Sequence, residues 1–125
     1  MIYGVGTDLA EVERIAEKIG KEAGFRELVF SQTEITYCEA KRNKYEHYAA
    51  RFAAKEAFFK AMGTGWRNGT AFNEIEITGD ENGKPVISFL GNTAITMSEL
   101  KLGSISVSLT HIKKMASAIV IIESR

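Results

Sequence analysis

The clearest pattern in the chain is RFAAKEAFFKAM, residues 51–62. It predicts most of a strong helix that runs from about residue 48 to residue 62. Phe52 and Phe59 share one face of that helix. A second face consists of small residues, which let another element approach closely: Ala50, Ala54, Ala57 and Ala61.

The charged residues of this helix admit two interpretations. Glu56 and Lys60 lie one turn apart, between the alanine and phenylalanine faces, where a charge usually requires a partner. They form either an ordinary i,i+4 ion pair or part of a phosphate and metal site. The glycine turn Gly63-Thr64-Gly65 favours the second, because its amides can point toward an anion, although a helix C-cap explains Gly63 equally well. Lys55 points elsewhere and is expected to be a solvated charge.

The segments before this helix predict a strand and two shorter helices. Residues 2–5 are typical of a short strand, and residues 9–19 have helical spacing. Asp8 precedes that run with Glu11 three positions later, which predicts a helix N-cap at Asp8. Ser31 and Glu34 form a second capping-box pattern, which opens a helix through Cys38. Residues 39–47 are polar and are expected to form a loop or a solvated helix end.

The second half of the chain is predicted to be mostly strand. Alternating residues around 75–77, a turn at 79–85 and a return strand at 86–90 predict a hairpin. A short helix at 93–100 and strands at 105–109 and 116–122 follow, with a break at 110–114. This order of strand, helices and paired strands predicts an α+β fold with antiparallel strands packed against helices, as a single domain spanning residues 1–125.

Composition limits the class of protein. The chain has 125 residues, of which 45% are hydrophobic, and 16 basic residues balance 16 acidic ones. This balance argues against a dedicated nucleic-acid binder, although one using Lys41, Arg42 and Lys44 remains an alternative. The single cysteine, Cys38, excludes an intrachain disulfide and fits a reduced, cytoplasmic setting. We expect no secretory signal and no membrane span.

Several motifs together resemble one enzyme family. RFAAKEAFFKAMGTG at 51–65 occurs with GVGTD at 4–8, ENGKPVI at 81–87 and SVSLTH at 106–111. In this order they resemble the holo-[acyl-carrier-protein] synthase family, the small 4′-phosphopantetheinyl transferases. The resemblance covers essentially the whole chain. It implies Mg²⁺-dependent transfer of 4′-phosphopantetheine from coenzyme A to a serine of apo acyl carrier protein, which releases adenosine 3′,5′-bisphosphate, in fatty acid biosynthesis.

The resemblance also implies roles for individual residues. Asp8 and Glu56 match the family's magnesium ligands, and Lys60 matches a lysine that contacts the coenzyme pyrophosphate; these three are the implied catalytic residues. The residues that match coenzyme A contacts are Arg51, Lys60, Gly63, Thr64, Gly65 and His111. Basic residues on the first helix match the surface that docks the acidic carrier protein: Arg14, Lys18 and Lys21.

The family resemblance further implies a homotrimer with active sites between subunits. The strands at 105–109 and 116–122 could supply that interface or could equally belong to the core. The alternative function is a non-catalytic, oligomeric module that binds coenzyme A. Such a module would keep Arg51 and the turn at Gly63 but would not require both Asp8 and Glu56.

Overall fold

Helix α4 is the longest element and lies at the centre of the fold. The computed structural model describes residues 1–65 and 69–125. In chain order the elements are β1 Ile2–Glu11, α1 Val12–Lys21, α2 Phe25–Val29, α3 Gln32–Glu39, α4 Lys44–Met62, a 3₁₀ turn Phe72–Glu74, β2 Ile75–Gly79, β3 Pro85–Phe89, α5 Gly91–Leu100, β4 Ile105–His111 and β5 Met115–Glu123. Within this description no helix has the length and apolar character that a bilayer crossing requires.

The strands form two antiparallel sheets. The larger sheet has the order β1-β5-β4, and β2 pairs with β3 in a separate hairpin. In the larger sheet Asp8 lies opposite Ala118, and Val107 lies opposite Val120. Antiparallel strands packed against helices confirm the predicted α+β class.

Strand β1 packs directly on the small-residue face of α4. All four alanines of that face are buried. A β-carbon at Gly4 would overlap the carbonyl oxygen of Ala61, and one at Gly6 would overlap the carbonyl oxygen of Ala57. These two glycines therefore permit backbone-to-backbone contact, which carries the end of β1 alongside the charged residues of the helix.

This contact predicts that a single methyl group added at Gly6 destabilises the fold. We expect Gly6→Ala to lower the free energy of unfolding by at least about 1–3 kcal/mol, because helix and sheet backbone must separate. The matched control is Gly20→Ala in α1, where nothing lies within 4 Å of the added carbon and a gain of about 0.5–1 kcal/mol is expected. Urea unfolding measures both changes. Equal midpoints for Gly6→Ala and the wild-type protein would contradict the close packing.

The first half of the chain departs from the sequence predictions in three places. Strand β1 continues to Glu11, so the predicted N-cap at Asp8 is wrong: the N-cap of α1 is Glu11, without a side-chain hydrogen bond. Pairing with β5 along the whole of β1 prevails over the local helix signal. No pattern predicts helix α2, and α4 begins at Lys44, four residues before the predicted start, so part of the polar segment is the helix end that the sequence allowed. The capping box at Ser31 is confirmed.

The larger sheet has one buried face and one exposed apolar face. Ala118 and Val120 of β5 are buried, whereas Ile119 between them is exposed. Tyr3, Val5 and Leu9 of β1 are also exposed, and the register places Val5 opposite Ile121 and Thr7 opposite Ile119. Strand β5 therefore serves both the core and an uncovered surface, which we call the outer sheet face.

Candidate active site

Asp8 and Lys60 meet although 52 residues separate them in sequence. The Lys60 ammonium donates to Asp8 Oδ1 at 2.9 Å and to the Thr7 carbonyl oxygen at 3.0 Å. The Asp8 side chain is 17% exposed and that of Lys60 is 57% exposed. They line a shallow depression of about 510 Å³ with Thr7, Leu9 and Ser117. In the described residues Lys60 thus forms its ion pair with the strand, and not with Glu56 one turn earlier.

Glu56 lies in a neighbouring cleft between β1, α1 and α4. The cleft has a volume of about 640 Å³, and its walls include Leu9, Arg14, Lys18 and Phe52. Burial raises the pKa of Glu56, the negative charge of Asp8 raises it further, and Lys60 and Lys18 oppose the rise. The two carboxylates are therefore close enough to repel each other, and a cation between them would relieve that repulsion.

The donor set fits Mg²⁺. Two carboxylates from β1 and α4 provide hard oxygen ligands, and Mg²⁺ commonly binds through one or two carboxylates together with waters and substrate phosphates. Among the described residues no group of three or more His, Cys, Asp or Glu side chains could hold a metal by itself. The remaining ligands would therefore have to come from a substrate and water.

Arg51 and His111 line a different cavity, of about 520 Å³, which we call the hairpin pocket. Arg51 is buried; its Nε donates to the Ile77 carbonyl oxygen at 3.2 Å, and its guanidinium carbon lies 4.4 Å from the centre of the Tyr37 ring. His111 Nδ1 lies 2.8 Å from Glu46 Oε1. The turn between β2 and β3 forms the opposite wall of the pocket.

The Asp80 side chain binds two backbone amides of that turn. Asp80 Oδ1 accepts from the backbone amide of Asn82 at 2.8 Å and from that of Lys84 at 2.9 Å. These bonds order the ENGKP segment, whose Gly83 and Pro85 face the pocket. Asp80 has no counterpart in the set of site residues predicted from the sequence, although an aspartate before a glycine turn is a usual signal for this arrangement.

The glycine turn follows the C-terminal end of α4, away from the hairpin pocket. Gly63 is the helix C-cap with φ 81°, and its amide donates to the carbonyl oxygens of Phe59 and Lys60. Gly65 has φ 63°, and Thr64 Oγ1 donates to its carbonyl oxygen at 3.2 Å. Arg51 and Gly63 are about 18 Å apart along the helix axis. The predicted coenzyme A contacts therefore form two groups, one with Arg51 and His111 and one with Lys60 and the turn.

The predicted docking residues divide in a similar way. Arg14 and Lys18 line the same cleft as Glu56, and Lys18 Nζ lies 5.6 Å from the centre of the Phe25 ring. Lys21 is the last residue of α1 and does not line that cleft. Arg14 and Lys18 are thus the two predicted docking residues that share a cleft with a candidate metal ligand.

Sequence reasoning missed the role of Lys55. Its expected solvated position is wrong: Lys55 and Glu34 form a fully buried ion pair at 2.8 Å. The Lys55 ammonium also donates to the carbonyl oxygens of Phe72 and Ile75. Burial lowers the pKa of Lys55, and Glu34 opposes that effect.

Glu34 connects this pair to two backbone segments. Its Oε1 accepts from the Ser31 amide at 2.9 Å and its Oε2 from the Ile77 amide at 2.9 Å. The pair therefore fastens α3, α4 and β2 together. The capping-box pattern identified the bond to Ser31, but no local pattern indicates the bonds to Lys55 and Ile77.

Comparisons with known proteins show the family of this chain. A family model described as 4′-phosphopantetheinyl transferase superfamily matches residues 4–114. A holo-[acyl-carrier-protein] synthase of Cytophaga hutchinsonii is 46% identical, with 97% of each chain covered. One of Bacillus subtilis is 42% identical, covering 98% of this chain and 97% of the relative.

Solved structures give the same result. The holo-[acyl-carrier-protein] synthase of Neisseria meningitidis superimposes with a TM-score of 0.90 at 31% identity, covering 99% of this chain and 100% of the other. The enzyme of Bacillus anthracis, in complex with CoA (3′,5′-ADP), superimposes with a TM-score of 0.82 at 32% identity, covering 100% and 99%. The chain belongs to the holo-[acyl-carrier-protein] synthase family, within the 4′-phosphopantetheinyl transferase superfamily.

Proposed function

We propose that this protein transfers the 4′-phosphopantetheine group of coenzyme A to a serine of apo acyl carrier protein. The products are holo acyl carrier protein and adenosine 3′,5′-bisphosphate, and the carrier serves fatty acid biosynthesis. The observation that carries the proposal is the meeting of Asp8 and Lys60 beside Glu56. A module that only binds coenzyme A would not require two carboxylates at the same place.

In the proposed reaction the serine hydroxyl oxygen attacks the phosphorus nearer the pantetheine. The bond from that phosphorus to the bridging oxygen breaks, the serine proton passes to solvent water, and adenosine 3′,5′-bisphosphate leaves with the electron pair. Mg²⁺ held by Asp8 and Glu56 would supply positive charge to the pyrophosphate oxygens. Positioning and charge neutralisation dominate such phosphoryl transfers.

Lys60 is suited to bind the pyrophosphate directly. An ammonium group has three donors, of which two are used on Asp8 and Thr7. The third remains for a phosphate oxygen in the exposed depression. Because Lys60 also holds one oxygen of Asp8, it orients the second oxygen, which is the proposed metal ligand.

We assign the nucleotide end of coenzyme A to the hairpin pocket. Arg51 and His111 both line it and both match coenzyme-binding residues of the family. The Gly63-Thr64-Gly65 turn follows the C-terminal end of α4. The Gly63 amide is used to close the helix, so the amides of Thr64 and Gly65 are the ones proposed to face a phosphate. Complete coenzyme A sites are then formed where one subunit meets another.

The outer sheet face supports a homotrimer. It exposes Tyr3, Val5, Leu9 and Ile119 side by side, and a contiguous apolar patch of this kind is typical of a protein interface. A second copy of the chain is the proposed occupant, as the family resemblance implies, and active sites between subunits would then combine the two groups of coenzyme A contacts. We place the enzyme in the cytoplasm, in keeping with its single free and buried cysteine.

The proposed docking face predicts that a substitution in α1 affects the carrier protein but not coenzyme A. We expect Arg14→Glu to raise the KM for apo acyl carrier protein about tenfold and to leave coenzyme A binding nearly unchanged, because carriers are acidic and Arg14 lies at the cleft beside Glu56. Steady-state kinetics at two salt concentrations measure this. Added salt should raise the KM for apo acyl carrier protein more for the wild-type protein than for the variant, since exposed charges are screened within about 10 Å.

The matched control for docking is Lys101→Glu, the same charge reversal at the exposed end of α5. It should leave both KM values near those of the wild type. Equal losses toward coenzyme A and carrier in Arg14→Glu would show that α1 is not the docking face.

The proposed reaction itself is tested by its small product. Purified protein, coenzyme A and Mg²⁺ should release adenosine 3′,5′-bisphosphate only when apo carrier is present, as measured by chromatography. A carrier whose acceptor serine is replaced by alanine should give none. Tight coenzyme A binding without product would favour the non-catalytic module.

A further inference from the structure

His47 lines the hairpin pocket, and the proposed reaction gives it no role. It lies on α4, and its ring centre is 5.1 Å from that of His111 and 5.6 Å from that of Tyr37. The side chain is half-buried and forms part of the pocket wall. Within the described residues it has no hydrogen-bond partner, so its ring nitrogens are available to a ligand.

The charges around His47 favour an anion. Lys41 Nζ lies 4.7 Å and Arg51 Cζ 4.4 Å from the centre of the Tyr37 ring, whose centre is 5.6 Å from that of His47. The carboxylates nearby are already engaged. Glu46 contacts His111, Asp80 accepts from the amides of its own turn, and Glu34 is bound by Lys55.

His47 is poised to change its charge. Burial lowers its pKa, and the charges of His111, Arg51 and Lys41 lower it further, while Glu46 alone opposes them. The ring is therefore neutral at neutral pH in the free protein. A bound phosphate monoester, with a charge of about −1.5 to −2, would raise the pKa of His47 and favour the protonated imidazolium.

We propose that His47 is a ligand for the 3′-phosphate of coenzyme A and that its ring takes up a proton as the nucleotide binds. The inference rests on the proposed function, which assigns the pyrophosphate to Asp8, Glu56 and Lys60 and leaves the 3′-phosphate for the hairpin pocket. His47 then helps to distinguish coenzyme A from its dephospho form, because a charge-assisted hydrogen bond forms only with the monoester.

The two histidines of the chain make a direct test possible. Ring proton signals are followed by NMR from pH 5 to 9, with His47→Gln identifying the signal of His47. We expect the pKa of His47 to move from below to above its ordinary value when coenzyme A is added and to move little with dephospho-coenzyme A. Coenzyme A affinity should accordingly be lost as pH rises through the pKa of His47 in the complex.

Affinity measurements complete the test. At pH 6.5 His47→Gln should weaken coenzyme A binding about tenfold and change dephospho-coenzyme A binding much less. Equal weakening of both ligands, or an unchanged or lower pKa of His47 in the complex, would overturn the role of His47 while leaving the proposed function intact. Failure of the wild-type protein to bind coenzyme A at all would overturn both.

Discussion

Replacing Asp8 by asparagine or Glu56 by glutamine is expected to reduce transfer at least about hundredfold at limiting Mg²⁺. Each change keeps the size of the side chain and removes one of the two proposed ligand charges. The loss should be partly recovered at high Mg²⁺ concentration, because a weakened site fills by mass action. Initial rates of carrier modification across a Mg²⁺ series, with magnesium binding by calorimetry, measure the effect.

The matched control for these variants is Glu17→Gln, which removes an exposed carboxylate from α1. It should retain the wild-type rate and the wild-type dependence on Mg²⁺. Near-normal transfer by Asp8→Asn or Glu56→Gln at limiting Mg²⁺ would refute the ligand assignment. Thermal unfolding of each variant separates this outcome from a loss of fold, since Glu56 is only half-buried and its replacement should not unfold the protein.

Replacing Lys55 by alanine is expected to cost about 3–5 kcal/mol of the free energy of unfolding. The change leaves the Glu34 carboxylate buried without its cation and also removes the donor to the carbonyl oxygens of Phe72 and Ile75. Lys60→Ala provides the comparison on the same helix. Its ion pair is largely exposed, so its loss should cost less than about 1 kcal/mol.

Urea unfolding of the two lysine variants gives the difference directly. Adding Glu34→Gln to Lys55→Ala should recover only part of the loss, because glutamine removes the buried charge but leaves the two carbonyl oxygens without a donor. A cost for Lys55→Ala as small as that for Lys60→Ala would contradict the buried position of the pair.

The sequence patterns that succeeded were local. The helix at 48–62, the capping box at Ser31 and the hairpin near 75–90 depend on residues a few positions apart. The N-cap predicted at Asp8 failed because pairing with β5, more than 100 residues away, extends the strand through that position. Local propensity is overridden wherever tertiary pairing satisfies the backbone better.

For the site residues as well, local patterns were informative and long-range contacts were not. Spacing within α4 left Glu56 and Lys60 equally compatible with an ordinary ion pair, and only the resemblance joined them to Asp8. The contact of Lys60 with Asp8 and that of Lys55 with Glu34 connect distant parts of the chain. No periodicity signals such contacts. Likewise, the position of His47 in a polar segment gave no indication that it would lie beside Tyr37 and His111.

The central claim is that this chain modifies a carrier protein. The direct measurement is intact-protein mass spectrometry of apo acyl carrier protein after incubation with the enzyme, coenzyme A and Mg²⁺, followed by fragmentation. We expect the carrier mass to increase by one phosphopantetheine group located on its serine, and no increase when Mg²⁺ is removed by a chelator. An unmodified carrier in the complete mixture, under conditions where the protein binds coenzyme A, would contradict the claim.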